Sequence, residues 1–219
     1  MPRPPQDTTA WVANNIAQTT DVTGTTVTSP FTFRVERKDR PPFEVLVLSY
    51  PQVTDAVLNP LLAAAPPVSF VVNVPKDSVW TQSGIAAAHH CQCAFGGIAE
   101  LMSAIYNKLD DVSAFVKKEN AFVERGLLQH DCVSSFDQEF DRAYMVHRLG
   151  MKSLRVVLLN EYELTAEHVR AARTRYGPFD IVLMTNPNGT PTKDAKEAAK
   201  GLQIAILPWR QFLGRLGTP

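Results

Sequence analysis

The chain has 219 residues, with 22 Lys+Arg against 22 Asp+Glu, 45% hydrophobic and 20% charged, the balance of an ordinary globular protein. A formal net charge of zero excludes a uniformly basic coat for wrapping nucleic acid and a polybasic membrane segment, but not a local patch. Three cysteines point to reduced thiols, no run reaches the roughly 18 apolar residues of a membrane span, and Met1-Pro-Arg-Pro-Pro-Gln6 leads into polar residues; the expectation is a cytoplasmic protein with no membrane partner.

Residues 1–7 are predicted to be disordered and 8–219 to form a single α/β domain, because no internal stretch has linker composition. Thr8 or Thr9 caps a short helix through Trp11, Val12, Ile16 and Ala17. Residues 22–35 read as one or two strands, 36–42 as a turn and 43–50 as a strand buried on both faces. Thr54 caps a helix interrupted by Pro60, and 68–74 is the next buried strand. Two apolar stripes predict a long helix over 83–106, and charge predicts a surface helix over 110–124. Leu128, Cys132, Phe136, Phe140 and Tyr144, at four-residue spacing, predict a helix over 126–149 that stops at Gly150.

The last third alternates clearly. Strands at 154–159, 180–185 and 204–207 are separated by helices capped by Thr165 and Thr192, and Phe212, Leu213 and Leu216 mark a terminal helix. The fold expected is three-layer α/β, a mixed, mostly parallel sheet with helices on both faces. Residues 45–73 and 156–186 share the order strand, Thr-capped helix, strand, at an offset drifting from 111 to 113 (Val45 to Val156, Asn73 to Asn186). This reads as two βαβ units alike by physics.

Gly-rich phosphate loops, G-x-S-x-G, H-E-x-x-H, paired C-x-x-C and EF-hand motifs are all missing from the sequence. Polar residues gather instead at strand ends. Asn73, Glu161, Asn186, Asn188, Gly189, Thr190 and Thr192 form a candidate ligand or anion site at the carboxyl edge of a parallel sheet, where helix N-termini converge. The same Asn, Pro and Gly also suit a plain βα turn. His89 and Cys93 are i, i+4, and His130 or Cys132 would be a third metal ligand; because Cys91 and Cys132 sit on apolar stripes, the metal-free reading is preferred. Arg142, Arg148, Lys152 and Arg155 form a local basic patch for phosphates, or serve as cations at a helix end.

Residues 180–216, DIVLMTNPNGTPTKDAKEAAKGLQIAILPWRQFLGRL, resemble the end of Mrr-like domains of the restriction-endonuclease-like superfamily: a strand ending in Thr, a turn, a Thr-capped helix with Ala195, Ala198 and Ala199, Gly, a short strand and a Leu-rich helix. Adding 154–177 extends the likeness to about the last 60 residues, a little over a quarter of the chain. The resemblance implies an Asp followed by a strand carrying Asp/Glu/Gln-x-Lys, together holding a divalent metal that activates water on a phosphodiester. The matching strand, 156–159, carries no such pair; Asp21 followed by Glu36-Arg37-Lys38 has the letters, which a charged turn also has. The expectation is a nucleic-acid-associated, restriction-endonuclease-like domain, catalytically degenerate rather than active, with a divalent metal only if it is a nuclease. The alternatives are a small-molecule or anion-binding domain using the strand-end loops, and a homo-oligomeric structural protein using the 126–149 helix.

Overall fold

A computed structural model describes residues 5–219 of the chain, with side chains from Asp7 onward. Of the 1–7 segment expected to be disordered, residues 1–4 lie outside the described residues and 5–7 form the first turn of a helix. The structure is α/β, with mixed parallel and antiparallel sheets flanked by helices, and it divides into two compact units, Met1–Lys117 and Lys118–Pro219, where the sequence suggested one domain over 8–219. No helix among the described residues is long and apolar enough to cross a membrane.

The first unit comprises α1 (Pro5–Ile16), β1 (Val22–Val27), β2 (Thr32–Arg37), β3 (Arg40–Leu48), β4 (Gln52–Val53), α2 (Asp55–Ala64), β5 (Phe70–Asn73), β6 (Val79–Trp80), α3 (Gln82–His90), β7 (Ala94–Gly96) and α4 (Ile98–Tyr106). Its sheet runs β1-β2-β3-β5-β7; the first two pairings are antiparallel and the last two parallel. Alternation along the strands sends Phe33, Val35, Val45, Val47 and Val72 to one face, against α1 and α4. It sends Leu46, Leu48 and Val71 to the other, against α2 and α3. Three layers result.

The expected 83–106 helix is α3, β7 and α4. Gly96 at φ 157° and Gly97 break it, and the intervening Ala94-Phe95-Gly96 pairs with β5 as an edge strand. Two apolar stripes describe a buried helix and a short buried strand equally well, because both bury most side chains. At the new helix start Glu100 accepts the Gly97 N–H at 3.1 Å and lies 3.0 Å from Lys117. Burial pushes the Glu100 carboxyl up, but Lys117 and the Gly97 N–H outweigh it and hold the group below its ordinary value. A depressed folded-state pKa contributes stability that is present above the unfolded value and is lost as pH falls through the folded one. The first unit should therefore lose stability on acidification less steeply in Glu100→Gln than in the parent, measured as urea midpoints across the carboxylate range.

The second unit comprises α5 (Lys118–Leu128), β8 (Val133–Phe140), β9 (Ala143–Arg148), β10 (Met151–Leu159), β11 (Glu163–Leu164), α6 (Ala166–Tyr176), β12 (Ile181–Met184), β13 (Thr190–Pro191), α7 (Lys193–Gly201), β14 (Ala205–Pro208) and α8 (Trp209–Leu216). Its sheet order is β8-β9-β10-β12-β14, again two antiparallel and two parallel pairings. Tyr144, Val146, Val156, Leu158 and Leu183 pack against Val123 and Leu127 of α5 and Phe212 and Leu216 of α8. On the opposite layer α6 and α7 bury Val169, Ala172, Ala195 and Ala199.

The expected 110–124 helix is a 3-10 turn over Val112–Ala114 followed by the first part of α5. The expected 126–149 helix is the end of α5 and the β8–β9 hairpin. A four-residue spacing lies near the helical period but is also twice the strand period, so Phe136 and Tyr144 share a sheet face as readily as a helix face. The oligomeric reading built on that helix loses its element.

The two units repeat one design. The strands β2, β3 and β5 begin 111 residues before β9, β10 and β12 (Thr32 to Ala143, Arg40 to Met151, Phe70 to Ile181). Single hydrogen bonds recur at the same offset. Val47 N–H donates to Phe31 O and Leu158 N–H to Arg142 O; Thr81 N–H donates to Val53 O and Thr192 N–H to Leu164 O. Thr54 and Thr165, and Thr81 and Thr192, cap equivalent helices through their side chains. Gln92 (φ 53°) and Gln203 (φ 58°) close equivalent helices in the left-handed region. A constant offset at the level of single bonds is more than two βαβ units reach by physics alone, so the chain is a structural repeat, and each copy serves as a control for the other.

Candidate functional site

Asp21, Glu36 and Lys38 come to the β2–β3 end of the first sheet. Lys38 N–H donates to Asp21 O at 2.9 Å, which makes them neighbours through the backbone. The two carboxylates are engaged elsewhere: that of Glu36 meets Arg34 Nε at 2.8 Å and that of Asp21 lies 3.8 Å from Lys108. This is the amino edge of β3, opposite the carboxyl ends at Leu48 and Asn73. No group of three or more His, Cys, Asp or Glu residues is placed to hold a metal ion among the described residues.

The three weaker metal candidates are each accounted for locally. His89 is exposed on α3 with its ring 5.8 Å from that of Phe95. Cys93 is buried, its Sγ donating to Val68 O and Cys91 O, and burial beside Cys91 pushes its thiol up to about 11. His130 places Nε2 3.0 Å from Leu213 O and accepts the Cys132 N–H at Nδ1.

The strand-end residues build turns. In the first unit Asn73, 2% exposed, accepts the Tyr50 N–H and donates back to Tyr50 O at 3.0 and 2.9 Å, an extra rung beyond β5. In the second, Asn186 Oδ1 accepts Asn188 N–H and Asn186 O accepts Gly189 N–H. A Cβ on Gly189 would come within 2.5 Å of Glu161 O, so only glycine fits that approach. Thr190 N–H donates to Tyr162 O, Thr192 Oγ1 accepts Ala195 N–H, and Glu161 lies 4.0 Å from His168.

The basic patch is spent inside the unit. Arg155 Nε meets Glu139, and its Nη1 donates to Pro178 O at 2.7 Å. Arg142 pairs with Glu119 at 2.9 Å. Arg148, 6% exposed, donates from Nε to Lys152 O and from Nη1 to Arg215 O, Leu216 O and Thr218 O, closing the end of α8. Arg37, 111 residues earlier, does the same for the first unit, donating to Pro41 O, Leu109 O and Asp110 O. Lys152 alone of the four presents a free, exposed cation.

Sequence reasoning missed a polar cluster at the carboxyl edge of the second sheet. Glu119 accepts from Arg142 and from the Thr185 hydroxyl. Asn120 Nδ2 donates to Asp141 O at 2.8 Å and to the Tyr144 hydroxyl at 2.7 Å, and that hydroxyl donates to Glu124 at 2.8 Å. Burial and the Glu124 charge raise the Tyr144 phenol far above its ordinary value, so it stays a neutral donor. Asn120 Oδ1 and Arg142 Nε are buried without partners. The equivalent positions of the first unit hold Thr8, Thr9, Ala13, Phe31, Phe33 and Val74, so the fold itself does not require these charges. The charged run that reads as a solvated face in sequence is, at Glu119 and Asn120, the buried side of α5. On the other sheet face His147 bridges Asp137 at 2.8 Å and Ser153 at 2.9 Å across three strands, open to solvent. No family model, curated protein or solved structure matches this chain, so its chemistry rests on its own residues.

Proposed function

We propose that the protein is a nucleic-acid-associated protein of restriction-endonuclease-like architecture without nuclease chemistry, working in the cytoplasm. One observation carries the non-catalytic half. Val156-Val157-Leu158-Leu159, the strand that the resemblance would furnish with a carboxylate-x-Lys pair, is buried and wholly apolar. Its equivalent in the other copy, Val45-Leu46-Val47-Leu48, is apolar and buried too. Divalent metals of the nuclease kind need oxygen ligands, and neither strand offers one from a side chain. Free thiols at Cys91, Cys93 and Cys132 suit a reducing compartment.

For phosphate contact the reading turns from the internal arginines to lysines. Lys193, Lys196 and Lys200 are exposed along one face of α7 at helical spacing, and among the described residues only Lys193 has a carboxylate within 4 Å, Glu197 at 3.8 Å. Binding to duplex DNA should be measurable at about 50 mM salt, with log K falling linearly in log salt. Replacing the three lysines by Gln should lower that slope by about 2–3 while leaving the fold intact. No retention at that salt would sink the reading. Magnesium- or manganese-dependent cleavage that disappears in Glu36→Gln would overturn its non-catalytic half.

A further inference from the structure

The second unit has an open pocket of about 280 Å³ at the amino edge of its sheet, lined by Arg148, Lys152, Asp180, Gln203 and Arg215 among others. Arg148 is nearly buried, yet no carboxylate pairs with it. Its Nε and Nη1 are used on carbonyls, and its Nη2 makes no hydrogen bond among the described residues. Arg215 hydrogen-bonds through one terminal nitrogen only, to Thr218. Lys152 is exposed. The one acidic side chain in the lining, Asp180, accepts the Arg155 backbone N–H at 2.8 Å. Burial, and after it the neighbouring Arg215, lower the Arg148 guanidinium from its ordinary value against an opposing pull from Asp180.

The first unit lacks this arrangement. There all three Arg37 nitrogens are bonded, and the adjacent Arg40 is neutralised by Asp110 at 2.5 Å. Pro41 and Ala104 stand where the second unit has Lys152 and Arg215. The repeat therefore does not need these two cations for folding; they are additions to one copy.

We propose that this pocket is a binding site for a phosphate monoester group, held by Arg148 Nη2, Arg215 and Lys152. Three cationic side chains outnumber Asp180, the one acidic side chain in a lining that also includes Pro219, and favour an anion of the phosphate class. Guanidinium groups present paired donors to tetrahedral oxyanions, and the lysine adds a point charge. The inference goes beyond the nucleic-acid reading and does not depend on it.

Inorganic phosphate and a nucleoside 5′-monophosphate, titrated calorimetrically into the full chain at fixed ionic strength in chloride, test the site. Both should bind, and Arg215→Gln and Lys152→Gln should each weaken binding on the order of 10-fold with an unchanged circular dichroism spectrum. These variants spare Arg148, whose loss would disturb α8. Equal heats for phosphate and chloride, or unchanged affinity in both variants, would overturn the proposal. Binding of the nucleotide without inorganic phosphate would also overturn it, since the base rather than the phosphate would then be recognised. Failure on DNA would leave these results standing, and their failure would leave DNA retention by the α7 lysines to be judged separately.

Discussion

Arg142→Ala is expected to destabilise the second unit by about 2–3 kcal/mol, below the cost of breaking a fully buried ion pair because the Arg142 side chain is 26% exposed. Glu119 has only 7% of its side chain exposed and would keep the Thr185 hydroxyl but lose the Arg142 guanidinium. The first copy shows how the same place is filled without charge: Thr8 stands for Glu119 and Phe31 for Arg142. Installing that pair, Glu119→Thr with Arg142→Phe, should recover most of the loss, because an apolar replacement of a whole buried pair is often neutral whereas half a pair is not. Hydrogen exchange of the β9 and β10 amides in graded denaturant reads the second unit's stability directly. If Arg142→Ala changes it by less than about 1 kcal/mol, the pair is effectively solvated and the buried-cluster description is wrong.

Arg148→Ala should cost about 3 kcal/mol, since one side chain satisfies four carbonyls, those of Lys152, Arg215, Leu216 and Thr218. Lysine should restore little of it, because a single ammonium cannot span acceptors that a planar fork reaches from two nitrogens. Arg37→Ala should impose a similar loss on the first unit through Pro41, Leu109 and Asp110. This bears on how nucleic-acid binding is tested. Removing Arg148 and Arg155 together would lower DNA retention through unfolding, so the exposed lysines of α7 are the informative substitutions.

Much of the fold was legible because its causes are local. The runs 43–50, 68–74, 154–159 and 180–185 are mostly apolar, short and bounded by polar or turn residues, the pattern of strands covered on both faces. Thr54, Thr165 and Thr192 announced helix starts that they do cap. The hairpin at 133–148 was not legible, since Phe136 and Tyr144 share a face across two paired strands at a spacing that also fits a helix, and the irregularity that sets Phe140 against Tyr176 is not written in the spacing. Pairing with β10 decides between strand and helix, and that partner is distant in the chain.

The candidate sites divide in the same way. That polar residues close each parallel strand follows from sequence, because strands end where apolar residues do. Whether those residues are free is a tertiary matter. Arg155 looks like a phosphate ligand in a one-dimensional charge count, and in three dimensions it holds Glu139 and Pro178 O, while Arg148 spends Nε and Nη1 on carbonyls. Glu119 and Asn120 look solvated and are buried. The sequence by itself determined the alternation of strands and helices, the capping residues and the lack of a catalytic pair on 156–159, all properties of residues close in the chain. Only the tertiary structure decided that the chain is one design used twice, and which cations stay unpaired at Arg148, Lys152 and Arg215. A charge is free or spent according to what long-range packing sets beside it, and no spacing along the chain records that.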